Sequence, residues 1–206
     1  MKAPASREPL VLLALCGVAL IVSGIEPHDR PTWWLEVAPV LIAAPLLVAT
    51  WKHFPLTPLT QRLLVLHALV LVVGAHWTYA RVPLGDWVRD AFGLARNHYD
   101  RLGHFMQGFV PALLVREVLV RLNVVTRRGW LFVFVVAICL AFSALYELLE
   151  WATALAIGQA ADSFLGTQGD PWDTQCDMFL ALVGALLAQL TLARMQDRQI
   201  DQIVTA

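Results

Sequence analysis

Charge is scarce in this chain and nearly balanced in sign: 15% of its 206 residues are Asp, Glu, Lys or Arg, and the net charge is -1. Nothing in that balance points to nucleic acid as a partner. Cysteine is almost missing too. Cys16, Cys139 and Cys176 form no CxxC and no disulfide framework. There is no Gly-rich phosphate loop, no Gly-x-Ser-x-Gly and no His-Glu-x-x-His, so no motif supports nucleophilic hydrolase chemistry. Repeats and low-complexity tracts are absent as well.

What is present is hydrophobicity, at 58% of residues and a mean hydropathy of +0.63. The apolar residues fall in blocks, and crossing a bilayer takes about 20 of them in succession. Six blocks qualify, at 9–25, 33–51, 61–80, 102–120, 129–153 and 174–193. The expected fold is all-α, a polytopic membrane helix bundle of about six transmembrane helices forming a single integral membrane domain over 1–206. The opening "MKAPASREPLVLLALCGVALIVSG" has the basic start and apolar core of a signal peptide. It lacks an A-x-A site, so an uncleaved first helix is expected.

Pro39 and Pro45 in the second block and Pro111 in the fourth predict kinks. Between Arg81 and Arg101 the connection has room for a short interfacial helix, with Trp77, Tyr79 and Trp87 as an aromatic belt. With six spans and an inner N-terminus, the fifteen Lys and Arg divide ten to five in favour of the inner side. Both termini are therefore expected in the cytoplasm. The start of the fourth span, the end of the fifth and the start of the sixth then share the outer face.

Those three places hold the least ordinary polar residues. In "NHYDRLGHF", Asp100 and His104 are four apart and share a helix face. They are either a cap and a buried hydrogen bond, or a carboxylate and an imidazole aimed at a metal or a proton. In "YELLEW", Glu147 and Glu150 are three apart near the end of an apolar helix. Such carboxylates need a cation or a raised pKa unless they are merely interfacial. In "GDPWDTQCDMF", Asp173 suits a helix cap, whereas Asp177 lies a turn deeper. Cys176 is either a soft ligand or helix-end packing.

The candidate site is thus Asp100, His104, Glu147, Glu150, Asp173 and Asp177, with His98, Tyr146, Arg101 and Gln175 as secondary members. Oxygen ligands plus one imidazole suit a divalent metal such as Mg, Mn, Fe or Zn. The Glu-x-x-His pairs of di-iron bundles are missing. Arg101 offers an alternative, neutralising a carboxylate without metal. Glu36, His67 and His76 read as lone intramembrane groups, and Arg116 and Glu117 as residues snorkelling to the cytoplasmic interface.

These three motifs, in order and with Gly184, resemble the YjdF-like bacterial inner-membrane proteins, a family without an established function, over roughly 60–195. A looser resemblance is to the VanZ-like membrane proteins, through Asp100, Arg101, His104 and Phe105, then Glu147, then Asp177 and Gly184. Ala181 stands where their pattern has Asn, and Glu150 and Asp173 are additions. What the resemblance implies is a polar site at the outer face, with no named substrate. The expected role is binding of a divalent cation or an envelope-lipid headgroup. A proton-coupled carrier and a structural protein whose polar cluster only fixes packing are the alternatives.

Overall fold

A computed structural model describes residues 7–157 and 167–205. Among them are seven helices: α1 (Glu8–Ser23), α2 (Arg30–Thr50), α3 (Pro58–Trp77), α4 (Pro83–Phe92), α5 (Tyr99–Arg121), α6 (Arg128–Ile157) and α7 (Asp173–Val204). Strands are absent among the described residues. Lys2, one of the positive residues counted toward the inner side, lies outside them.

Local chemistry sets several helix starts. Asp29 accepts the Thr32 amide at 2.8 Å, and Pro31 stands in the first turn of α2, where a missing N–H is harmless. Thr57 caps α3 ahead of Pro58 in the same way. Helix α4 occupies the connection where a short helix was expected, and ends on Gly93 at φ 62°. Helix α2 continues through Pro39 and Pro45, and α5 through Pro111.

Length and composition let α2, α3, α6 (as far as Ala156) and α7 cross a membrane, and α1 is a shorter apolar helix. Helix α5 has 23 residues but carries Asp100, Arg101, Arg116, Glu117 and Arg121. About six membrane helices is compatible with this set. The main departure is at the end. Helix α7 runs to Val204, eleven residues past the expected limit, because Gln196 and Ile200 continue its buried face into the polar tail.

Helix α5 is central, packed along α7, α6 and α3, while α1 and α2 rest mainly on α3. One apolar core joins α5, α6 and α7 around Leu113, Val135, Cys139, Ala185 and Ala188. A second joins α1, α2 and α3 around Cys16, Trp33, Val37 and Val72. Cys16 and Cys139 are therefore packing residues, and Cys176 is half-buried without a disulfide. The α5–α7 seam is made of small residues. A Cβ on Gly108 would run into the Ala181 carbonyl, and one on Gly184 into the Phe105 carbonyl and Phe109 amide.

Two expectations need correction. Glu117 does not snorkel: it is 0% exposed and takes the Thr57 amide and the Thr57 and Thr60 hydroxyls, each at 2.8 Å. Arg116, also buried, donates to Gln196 (3.0 Å) and Asp197 (2.6 Å) on the α7 extension. Neighbouring helices supply enough polar groups at that depth to hold both charges inside. Tyr79 does not join an aromatic belt either. It is buried, with its ring filling the space left by Gly74 and Gly103, whereas Trp77 and Trp87 are exposed.

Candidate functional site

The site begins where α4, the 93–98 connection and α5 meet. Asn97 is wholly buried, and its side chain donates to the Val82 carbonyl and Asp86 (each 3.0 Å) while accepting the Tyr99 amide (3.0 Å). Gln168 closes on the Asn97 backbone from the segment before α7. Gly85 is required beside it, because a Cβ there would occupy the Asn97 carboxamide. This knot fixes the start of α5, and with it Asp100 and His104.

Next to it lies an ion-paired clamp. Arg96 bonds Asp173 at 2.5 Å and reaches Asp170 at 3.4 Å, and Arg101 bonds Asp170 at 2.5 Å. Asp173 is thereby brought into the polar cluster as an arginine partner, and Arg101 neutralises a carboxylate as one reading of the sequence allowed. Asp170 is held below the usual carboxylate range, first by the Trp172 amide it accepts and then by Arg101. A lowered folded-state pKa stabilises the fold above the ordinary aspartate value, about 3.9, and that contribution is lost as pH falls through the folded value. The thermal-stability difference between wild type and Asp170→Asn is accordingly expected at neutral pH and to vanish in acid. A difference independent of pH would contradict it.

Deeper in, His104 is buried between two acids. Its Nε2 faces Asp100 Oδ1 at 3.6 Å, and its Nδ1 faces Glu147 Oε1 at 3.7 Å and Gln107 Oε1 at 3.2 Å. Asp100, His104 and Asp177 each offer one ligand atom, and these atoms all lie within 4.8 Å of one another. Asp177 is 2% exposed, and neither its Oδ1 nor Glu147 Oε1 has a hydrogen-bond partner. Buried acceptors left this way are expensive unless something positive reaches them.

Beside this group is a cavity of about 60 Å³, lined by Asp100, His104, Gln107, Tyr146 and Glu150 together with Glu36, His67 and Tyr79. Glu150 therefore faces the polar centre. Tyr146 donates to Glu36 at 3.1 Å, and its ring meets His104 edge-on. Glu36 is thus not a lone group, and His67 lines the same cavity with its Nε2 unbonded. A carboxylate in an apolar span was the available signal, since such residues usually face a bundle interior. His76 does lie elsewhere, bonding the Ser23 carbonyl. Arg96 was missed because it precedes α5 and no helical spacing ties it to the motifs, whereas Gln107, three residues after His104 on the same helix, had that spacing as its signal. Of the secondary candidates, His98 precedes α5 with its Nδ1 buried, Tyr146 joins the cavity wall, and Gln175 is exposed.

A family profile described as "Predicted membrane protein (DUF2238)" matches residues 8–198. The inner membrane protein YjdF of Escherichia coli (strain K12) is 55% identical over 181 residues, covering 88% of this chain and 87% of that protein. No solved structure matches the chain. The YjdF-like resemblance is thereby shown, and these matches carry nothing for the VanZ-like one. An all-helical, multi-pass chain with those matches belongs to the DUF2238 family of membrane proteins, which includes the inner-membrane protein YjdF.

Proposed function

We propose that Asp100, His104 and Asp177, with Glu147 alongside, bind a divalent cation that in turn receives the phosphate of an envelope-lipid headgroup. The observation that carries this reading is the convergence of three ligand atoms within 4.8 Å, beside buried carboxylate oxygens without hydrogen bonds. The spacing of His104 from Asp100, 3.6 Å, is too long for a good hydrogen bond. It suits two ligands on one ion, since ligands about 2.1 Å from a metal stand roughly 3–4 Å apart. Three acids gathered around one imidazole at this depth also call for added positive charge. Arg96 and Arg101 are already engaged by Asp170 and Asp173. Oxygen and imidazole donors favour Mg, Mn, Fe or Zn. With both termini cytoplasmic, the site faces the outer side, where Glu150 and Asp173 form its surroundings.

Element analysis of detergent-purified protein tests this. Wild type should retain roughly one ion per chain, and Asp177→Ala and His104→Ala should bind it at least about tenfold more weakly. Negligible metal in a folded wild type would leave the cluster a packing device. A second reading, proton carriage, is favoured by Glu36, His67, Asp100 and Glu150 lining one cavity. In proteoliposomes under a pH gradient it requires an uptake signal that Glu36→Gln abolishes.

A further inference from the structure

Below the polar cavity the bundle opens into a much larger apolar groove of about 550 Å³. Helix α3 forms its floor, α2 and α1 one wall, and α5 and α6 the other. Five residues line both spaces: Pro39, His67, Leu71, Gln107 and Tyr146. The groove therefore begins at the carboxylate–histidine site. From Leu71 to Gln61 on α3 it extends ten residues, about 15 Å at 1.5 Å per residue. That is half of the roughly 30 Å hydrocarbon core, the depth of one leaflet. Its mouth lies between α2 and α6, where Ile42, Val48, Phe142, Leu145 and Leu149 line the groove and are also exposed.

We propose that this groove holds the hydrocarbon chain of a membrane lipid, with the lipid's polar end at the Asp100–His104 cavity. The position of the polar end rests on the cation reading above, whereas the chain site rests on the groove alone. The surroundings of the mouth select the occupant: it opens between α2 and α6 among exposed apolar side chains, the surface that the hydrocarbon chains of the bilayer cover. A single chain fits a volume in the roughly 300–1,000 Å³ range of enclosing ligand sites. The polarity gradient sets its direction, since His67, Gln107 and Tyr146 gather at the end shared with the cavity and Gln61 alone lies near the other.

The test is photolabelling in vesicles of phosphatidylethanolamine and phosphatidylglycerol, the latter with a diazirine in one acyl chain. Adducts should concentrate on Leu47, Leu64 and Leu114, in excess of Leu190 and Phe179 on the exposed surface. Ala44→Trp fills the groove and should lower the groove adducts roughly tenfold, as loss of contact with about two methylene groups would. Labelling of Leu190 should stay unchanged, and Leu46→Trp, exposed on the same helix, should alter neither. Should Ala44→Trp aggregate, Leu64→Phe blocks the groove from α3. Even labelling of groove and surface, or no fall in a folded filled variant, overturns the chain site. Groove adducts retained in a wild type without metal would overturn the cation reading and leave the chain site standing.

Discussion

Gly184→Val is expected to prevent normal assembly of the bundle. Helices α5 and α7 meet backbone to backbone, and a Cβ at 184 would already press on the Phe105 carbonyl and the Phe109 amide. Neither neighbour is a side chain that can rotate away, so the helices must separate. Between helices in lipid there is little hydrophobic gain to compensate, and close van der Waals packing of small residues does most of the holding. The seam includes Gly108, Ala112, Ala181, Ala185 and Ala188, and separation loosens all of them. Overpacking of this kind is worth about 3 kcal/mol or more. The same movement would draw Asp177, two turns along α7, away from His104. Size-exclusion profile and thermal midpoint in detergent measure the effect, with Gly184→Ala as the milder member of the series. A wild-type midpoint for Gly184→Val would disprove the close crossing.

Glu117→Ala is the second large effect, and it acts at the opposite end of α5. The Glu117 carboxylate accepts three hydrogen bonds from Thr57 and Thr60 and one from Arg121 at 3.0 Å. Gln196, itself buried, bonds Thr60 (3.1 Å) and the Leu113 carbonyl (2.7 Å) from α7. Removing the acid leaves two hydroxyls and a backbone amide without that acceptor inside the bundle, and leaves Arg121 with the Pro55 carbonyl but no balancing charge. Breaking a buried pair in this way costs about 3–5 kcal/mol. Glu117→Gln keeps the shape and part of the bonding, so its loss should be smaller. Because this network is far from His104, metal content per folded chain should not change in either variant. A stability loss no greater than that of an exposed Asp201→Ala would count against the network.

Much of the bundle was legible from run length alone, because a bilayer-spanning helix needs a long apolar run and these runs are separated by charges and prolines. The site was legible in part. Asp100 and His104, four apart, do lie on one face, and topology did bring their layer together with Glu147 and Asp177. Asp173 was legible as an acid of that layer, but its bonding to Arg96 was not, since 77 residues separate them. Glu36 and Glu117 show the same limit from two directions. Glu36 read as a lone intramembrane group and Glu117 as a snorkelling one, and each is bonded by a residue on another helix.

The sequence by itself determined that the chain is a membrane protein of several long helices and which polar residues share a face of their own helix, but not how far the last helix runs. Helical periodicity and hydrocarbon thickness are enough for that, because both act along one segment. Only the tertiary structure decided which faces meet. It placed Tyr146 on Glu36, Arg96 on Asp173, and His104 between Asp100 and Glu147, and it left a groove beside α3 where α2 stands off α6. Those outcomes depend on the rotation and separation of whole helices. They are set by a few close backbone contacts, above all Gly108 and Gly184 at the α5–α7 crossing.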